Sequence, residues 1–141
     1  MKILKNLFGP KTKLATDNIS DETGRLLSQS VIVDSGSNAN GRWIKYADGT
    51  MICYYDATFG PASTQSGGLY VSLNFEWIFP QPFINGNVTV SDSVKYGYGS
   101  VWTGSASTNT NRTKYAFRLI SIFEAATTNI GVGMIAIGRW K

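Results

Sequence analysis

Between Leu69 and Phe79 the chain reads LYVSLNFEWIF, and Leu69, Val71, Leu73, Phe75, Trp77 and Phe79 recur at strict period two. Only a β-strand places every second side chain on one face; a helix would scatter these six around its circumference. Pro80 and Pro82 close the segment, since neither can donate a ladder hydrogen bond. The same cadence runs through most of the chain. Val31-Ile32-Val33 is a short apolar strand ending at Asp34-Ser35-Gly36, and Asn85-Gly86 marks a tight turn into Val88–Ser91. Residues 57–68, ATFGPASTQSGG, read as a loop. Tyr115, Phe117 and Leu119 alternate with Ala116, Arg118 and Ile120, and Val132–Ile137 is apolar on both faces, as a central strand would be. Seven or eight such strands joined by short turns predict an all-β fold, a β-sandwich or small barrel.

Residues 35–53, SGSNANGRWIKYADGTMIC, predict a β-hairpin turning at Asp48-Gly49, a pair suited to a two-residue type I′ loop. That loop pairs Tyr46 with Met51 and Ile44 with Cys53. It puts Ile44, Tyr46, Met51 and Cys53 on a core face and Trp43, Lys45, Ile52 and Tyr54 on an amphipathic one. Cys53 is the sole cysteine, so the chain has no internal disulfide, and a core position makes the thiol inert.

Residues 1–30 differ from the rest of the chain. They show no strand alternation, and Ser20 or Asp21 is placed to cap a short helix to about Leu27 that Gly24 weakens. The segment suits either a connector to other subunits or a partly ordered terminus. The division expected is a connector over 1–30 and one β domain over 31–141. The net charge of +4 arises from Lys2, Lys5, Lys11 and Lys13; residues 14–141 hold nine basic and nine acidic side chains. A neutral body without a basic stripe lacks the footprint of a nucleic-acid binder. No apolar run is long enough for a transmembrane helix, and MKILKNLFGPK stops short of a signal-peptide core at Gly9-Pro10.

The chain contains no histidine, which removes Ser-His and Cys-His pairings and His-containing metal sites; one cysteine cannot build a thiolate cage. The nine carboxylates form no recognisable acid–base motif, so neither enzymatic chemistry nor a cofactor is expected. Gly97-Tyr98-Gly99 and Gly131-Val132-Gly133 lack a following helix and do not resemble nucleotide-binding loops. The second doublet instead suits close approach of a neighbouring backbone or a large aromatic ring. Tyr96, Tyr98 and Trp102, followed by Asn109, Asn111 and Arg112, combine aromatic platforms with directional polar groups, and Asp92 stands near the same edge. Rings match the apolar C–H faces of sugars, while Asn, Asp and Arg match their hydroxyls. These seven are the expected carbohydrate-binding residues. The alternative is that Tyr96 and Trp102 are core and the polar run a solvated loop.

The stretch SGSNANGRWIKYADGTMIC, with its Ser/Gly/Asn lead-in, aromatic and DG turn, resembles the C-terminal domain of bacteriophage tail-fibre and receptor-binding proteins. The closing Met134-Ile135-Ala136-Ile137-Gly138-Arg139-Trp140-Lys141 resembles the final strand of the same family. Phe75–Phe83 followed by Val88–Ser91 is similar to H-type lectins, although the histidine of the lectin site has no counterpart here. The resemblance implies an antiparallel, H-type-lectin-like β-sandwich assembled as a homotrimer, a component of a virion tail made in the bacterial cytoplasm. It implies a non-catalytic adhesin for a bacterial surface glycan, joined to other tail or fibre subunits through residues 1–30, without membrane insertion. A purely structural trimerising tip or baseplate subunit is the alternative, and a polysaccharide-degrading enzyme a further one.

Overall fold

The structure, a computed structural model, describes residues 31–141 except 98–99, 107–108 and 128. The expected connector over 1–30 and Tyr98 lie outside the described residues. Ten strands follow in chain order: β1 (Ile32–Asn38), β2 (Gly41–Tyr46), β3 (Thr50–Phe59), β4 (Thr64–Ser66), β5 (Leu69–Val71), β6 (Phe75–Ile78), β7 (Thr89–Tyr96), β8 (Val101–Ser105), β9 (Lys114–Ser121) and β10 (Ile130–Arg139). One antiparallel sheet has the order β1-β2-β3-β10-β7. The second runs β4-β5-β9-β6, with β8 also paired to β9. The two sheets make an all-β sandwich, and β10 is central in its sheet, as its two apolar faces predict.

Both sheets contribute to one core. Met51, Cys53, Val132, Met134 and Ala136 come from the first and Trp77, Phe117 and Leu119 from the second. Aromatic rings interlock in this core: Phe59 meets Phe117 edge-on across the layers at 4.9 Å, and Trp77 meets Phe79 edge-on at 5.0 Å. Such edge-to-face geometry sets the positive ring edge against the negative face. The Trp77 indole also donates to the Asn40 carbonyl at 2.8 Å, tying the second sheet to the β1–β2 turn.

The alternation at 69–79 is broken by one residue. Tyr70 pairs with Ser121 and Val71 with Ile120, yet Phe75 pairs with Phe117, so four steps on one strand oppose three on β9. This extra residue is a β-bulge. Ser72 fills the break: its hydroxyl accepts the Leu119 N–H at 2.9 Å and donates to the Leu73 carbonyl at 2.6 Å. Leu73 is therefore turned out to solvent, 80% exposed, while Ser72 is buried. The expected loop at 57–68 also contains the end of β3 and the short β4, which pairs with β5.

The Asp48-Gly49 hairpin forms, but one residue out of the expected register. Trp43 pairs with Cys53, Ile44 with Ile52 and Lys45 with Met51. Gly49 has φ +94° and no non-glycine residue among the described residues has positive φ, so Asp48 cannot take its place in a type I′ turn. Instead Gly49 N–H donates to the Tyr46 carbonyl at 3.0 Å, and the Asp48 carboxylate accepts from Thr50 N–H at 2.7 Å. A tight turn followed by a left-handed glycine closes a three-residue loop. Met51 and Cys53 are fully buried as expected, but their companions are Trp43 and Lys45, not Ile44 and Tyr46. Lys45 reaches the Asp34 carboxylate at 3.0 Å, and Trp43 donates its indole N–H to the same group at 3.1 Å. Lys45 first, then Trp43, holds the Asp34 carboxyl below its usual range.

Both ends of the described chain meet at this hairpin. Ala47 N–H donates to the Val31 carbonyl at 2.8 Å; Trp140 donates its backbone N–H to Gly49 and its indole N–H to Tyr46 at 3.0 and 2.9 Å. The start of β10 lies at the opposite pole, roughly 30 Å away at the ~3.3 Å rise of a strand.

Candidate functional site

The outer face of the first sheet is built in rows across its strands. Nearest the hairpin, Ile44, Ile52 and Ile137 stand side by side; the next row holds Arg42, Tyr54, Ile135 and Ser91. Further along come Asp56, Gly133 and Ser93, and then Thr58, Gly131 and Tyr96. The face thus changes from aliphatic near the hairpin to polar and aromatic at the far pole.

A β-bulge makes the polar end. Val132 pairs with Val94 and Gly131 with Tyr96, leaving Lys95 as an extra residue in β7. Strict alternation would point Lys95 and Tyr96 to opposite faces; the bulge sends both outward, as bulges re-aim side chains. Tyr96 would not fit as it lies if β10 carried a side chain at Gly131, and the flexible ends of Lys95 and Asp56 would have to shift for one at Gly133. A Cβ on Gly131 would fall 2.4 Å from the Tyr96 ring, and one on Gly133 would fall 2.6 Å from Lys95 Cε and 2.9 Å from Asp56 Oδ1. The bare backbone of Gly131-Val132-Gly133 is a floor. Tyr96 lies over one glycine, and the Asp56–Lys95 ion pair bridges two strands over the other.

Two shallow concavities flank that ion pair. One, of about 280 Å³, lies among Thr58, Tyr96 and Gly131; the other, of about 270 Å³, lies among Tyr54, Ser91, Ser93 and Ile135. Asp56 and Lys95 line both, so the two form one groove along β10. Both side chains are largely solvated, at 66% and 48% exposure, so the pair opens at little cost.

The seven expected site residues do not gather in one place. Tyr96, 60% exposed, belongs to the groove. The Asp92 carboxylate turns into the sandwich, accepting from Thr103 Oγ1 and from the Tyr115 hydroxyl, each at 2.5 Å. Burial and then the Asp92 charge push the Tyr115 phenol above its usual range. Trp102 pairs with Ile120 and, with Thr103 directed inward, projects from the outer face of the second sheet. Asn109, Asn111 and Arg112 are exposed in the β8–β9 loop. Asn111 Oδ1 there caps Thr113 N–H at 2.8 Å, and the Arg112 carbonyl receives Phe83 N–H at 2.9 Å. Phe83 packs against Gly138, at the hairpin end of β10. Seven residues of β10 separate Gly138 from the Tyr96 platform, roughly 23 Å. Tyr98 lies outside the described residues.

No family model matches the chain, and no curated protein does. The chain is similar to two solved structures. One is the C-terminal part of the P. aeruginosa R1 pyocin fibre, with 18% identity over 77% of this chain and a TM-score of 0.49. This chain spans 29% of that one. The other, an N-truncated R1-type pyocin tail fibre, also shows 18% identity over 77% of this chain, with 88% of its own length covered and a TM-score of 0.48.

Tyr54, Asp56 and Lys95 were not among the expected site residues. They are dispersed over two strands far apart in sequence, and only sheet pairing joins them. The one sequence signal for the groove is the Gly131/Gly133 doublet, whose expected role of admitting a large aromatic is the one Tyr96 takes up. Among the described residues no group of three or more Cys, Asp or Glu side chains is arranged to hold a metal ion.

Proposed function

We propose that residues 31–141 are a receptor-binding domain of the phage tail-fibre type, holding a bacterial surface carbohydrate without chemical turnover. The observation that carries this reading is the union of the two segments whose residues resemble that family. Thr50–Cys53 pair with Ala136–Arg139 at the middle of the first sheet, and Trp140 fastens the chain end to the Asp48-Gly49 turn. These segments, nearly a hundred residues apart in sequence, are one structural unit. Weak contacts on such a scaffold gain strength when several copies act together. In this reading residues 1–30 join the domain to other tail subunits and the assembly is a homotrimer. A labelled soluble domain is expected to stain susceptible bacteria, to be displaced by their purified surface polysaccharide, and to leave the size of that polysaccharide unchanged. Shortening of the polysaccharide would replace the adhesin with an enzyme.

The aliphatic rows of the first sheet favour a second reading, a trimerising structural tip. Ile135 and Ile137 are 47% and 45% exposed beside Ile44 and Ile52, an apolar patch that a neighbouring copy would cover. A trimer mass in solution with no staining of any susceptible host would select this reading.

A further inference from the structure

We propose that the saccharide lies in the groove over Gly131 and Gly133, held by Tyr96, Asp56 and Lys95. This deepens the receptor-binding reading and rests on it. Three features converge. The Tyr96 ring is backed by glycine backbone and is 60% exposed, which makes it a flat apolar platform with little freedom left to lose on binding. Beside it, Asp56 supplies a carboxylate that accepts from two hydroxyls, and Lys95 supplies an ammonium that donates. The two charges offset each other, so the groove matches a neutral polyol; one already paired cation is a poor site for phosphate. Finally, the two concavities together reach the ~300–1,000 Å³ range typical of small-ligand sites, and their common wall is the ion pair. That layout suits two adjoining sugar units, one stacked on Tyr96 and one beside Tyr54 and the Ser91 and Ser93 hydroxyls.

The test uses the full chain and oligosaccharides released from the surface polysaccharide of a bacterium that it stains, with affinity measured by titration calorimetry. Tyr96→Ala and Asp56→Asn are each expected to weaken binding about tenfold or more, with Tyr96→Phe close to the parent. Gly131→Ala leaves every polar group in place but sets a Cβ against the Tyr96 ring, displacing the platform, and it is expected to weaken binding similarly. Trp102→Ala and Arg112→Ala, on other surfaces, are expected to leave affinity unchanged. Circular dichroism and thermal midpoints matching the parent show that the exposed groove variants fold. Retained affinity in all three groove variants, or loss confined to Trp102→Ala or Arg112→Ala, would overturn the assignment while leaving the adhesin intact. Failure of the parent to bind any cell or oligosaccharide would remove the receptor-binding reading itself, and the groove's ligand with it.

Discussion

Tyr115 and Asp92 show how polar contacts add to the shared core in joining the two sheets. Asp92 on β7 is the only carboxylate among the described residues bonded to both a tyrosine and a threonine of the opposite sheet. Tyr115→Phe removes one charge-assisted bond from a half-buried site and is expected to cost about 1–2 kcal/mol, read from urea midpoints. Burial also pushes the Cys53 thiol up to about 11, and Tyr115 is raised in the same direction. Both groups keep their protons in the fold at pH values where the unfolded chain has begun to lose them. Their contribution is thus complete below the ordinary thiol and phenol ranges, near 9 and 10, and declines as pH rises beyond them. Stability measured between pH 9 and 11 should fall, and from pH 10 upward it should fall less steeply in Tyr115→Phe. The buried Cys53 should react with a thiol reagent only as fast as the domain opens.

At the scale of elements, turns and bulges decide which face a side chain reaches. Gly49→Ala would place a Cβ 2.5 Å from the Arg139 guanidinium at a backbone angle that alanine rarely adopts. A loss of about 1–2 kcal/mol in the denaturant midpoint is expected. Leu73→Ser, by contrast, should change stability by less than ~0.5 kcal/mol despite lying in the most regular apolar alternation of the chain. These two residues also mark what the sequence could disclose. Period-two patterning located most of the strands, the sandwich and the central β10, because alternation follows directly from strand geometry. It missed β4 and ended β1 at Asp34-Ser35-Gly36, where the strand runs on to Asn38. It could not disclose the Ser72 or Lys95 bulges or the three-residue turn. The two bulges depend on where a partner strand far along the chain supplies one residue fewer, the turn on whether two or three residues close the loop, and each one-residue shift reverses every face beyond it. Tyr96 was legible as an exposed aromatic, but Asp56 beside it was not, since that carboxylate and Lys95 stand 39 positions apart in sequence on strands that flank β10.

For the whole molecule, the outer face of the first sheet divides into two halves of different chemistry. Ile137→Lys, placed in the aliphatic half, is expected to lower the mass seen by light scattering towards that of one 15.4 kDa chain while leaving the fold intact. A mass unchanged from the parent would detach those rows from self-association. The meeting of both chain ends at the hairpin adds a direction to this division. Whatever is tethered through the residues before Val31 departs from the hairpin pole, and the glycine-floored groove sits near the other. In the proposed reading, where residues 1–30 join the domain to other subunits, the domain is a lever about one strand long, with the hairpin at its base and the groove towards its tip. A domain so mounted would carry the proposed saccharide contact away from its support, sparing the tether from crowding at the bacterial surface.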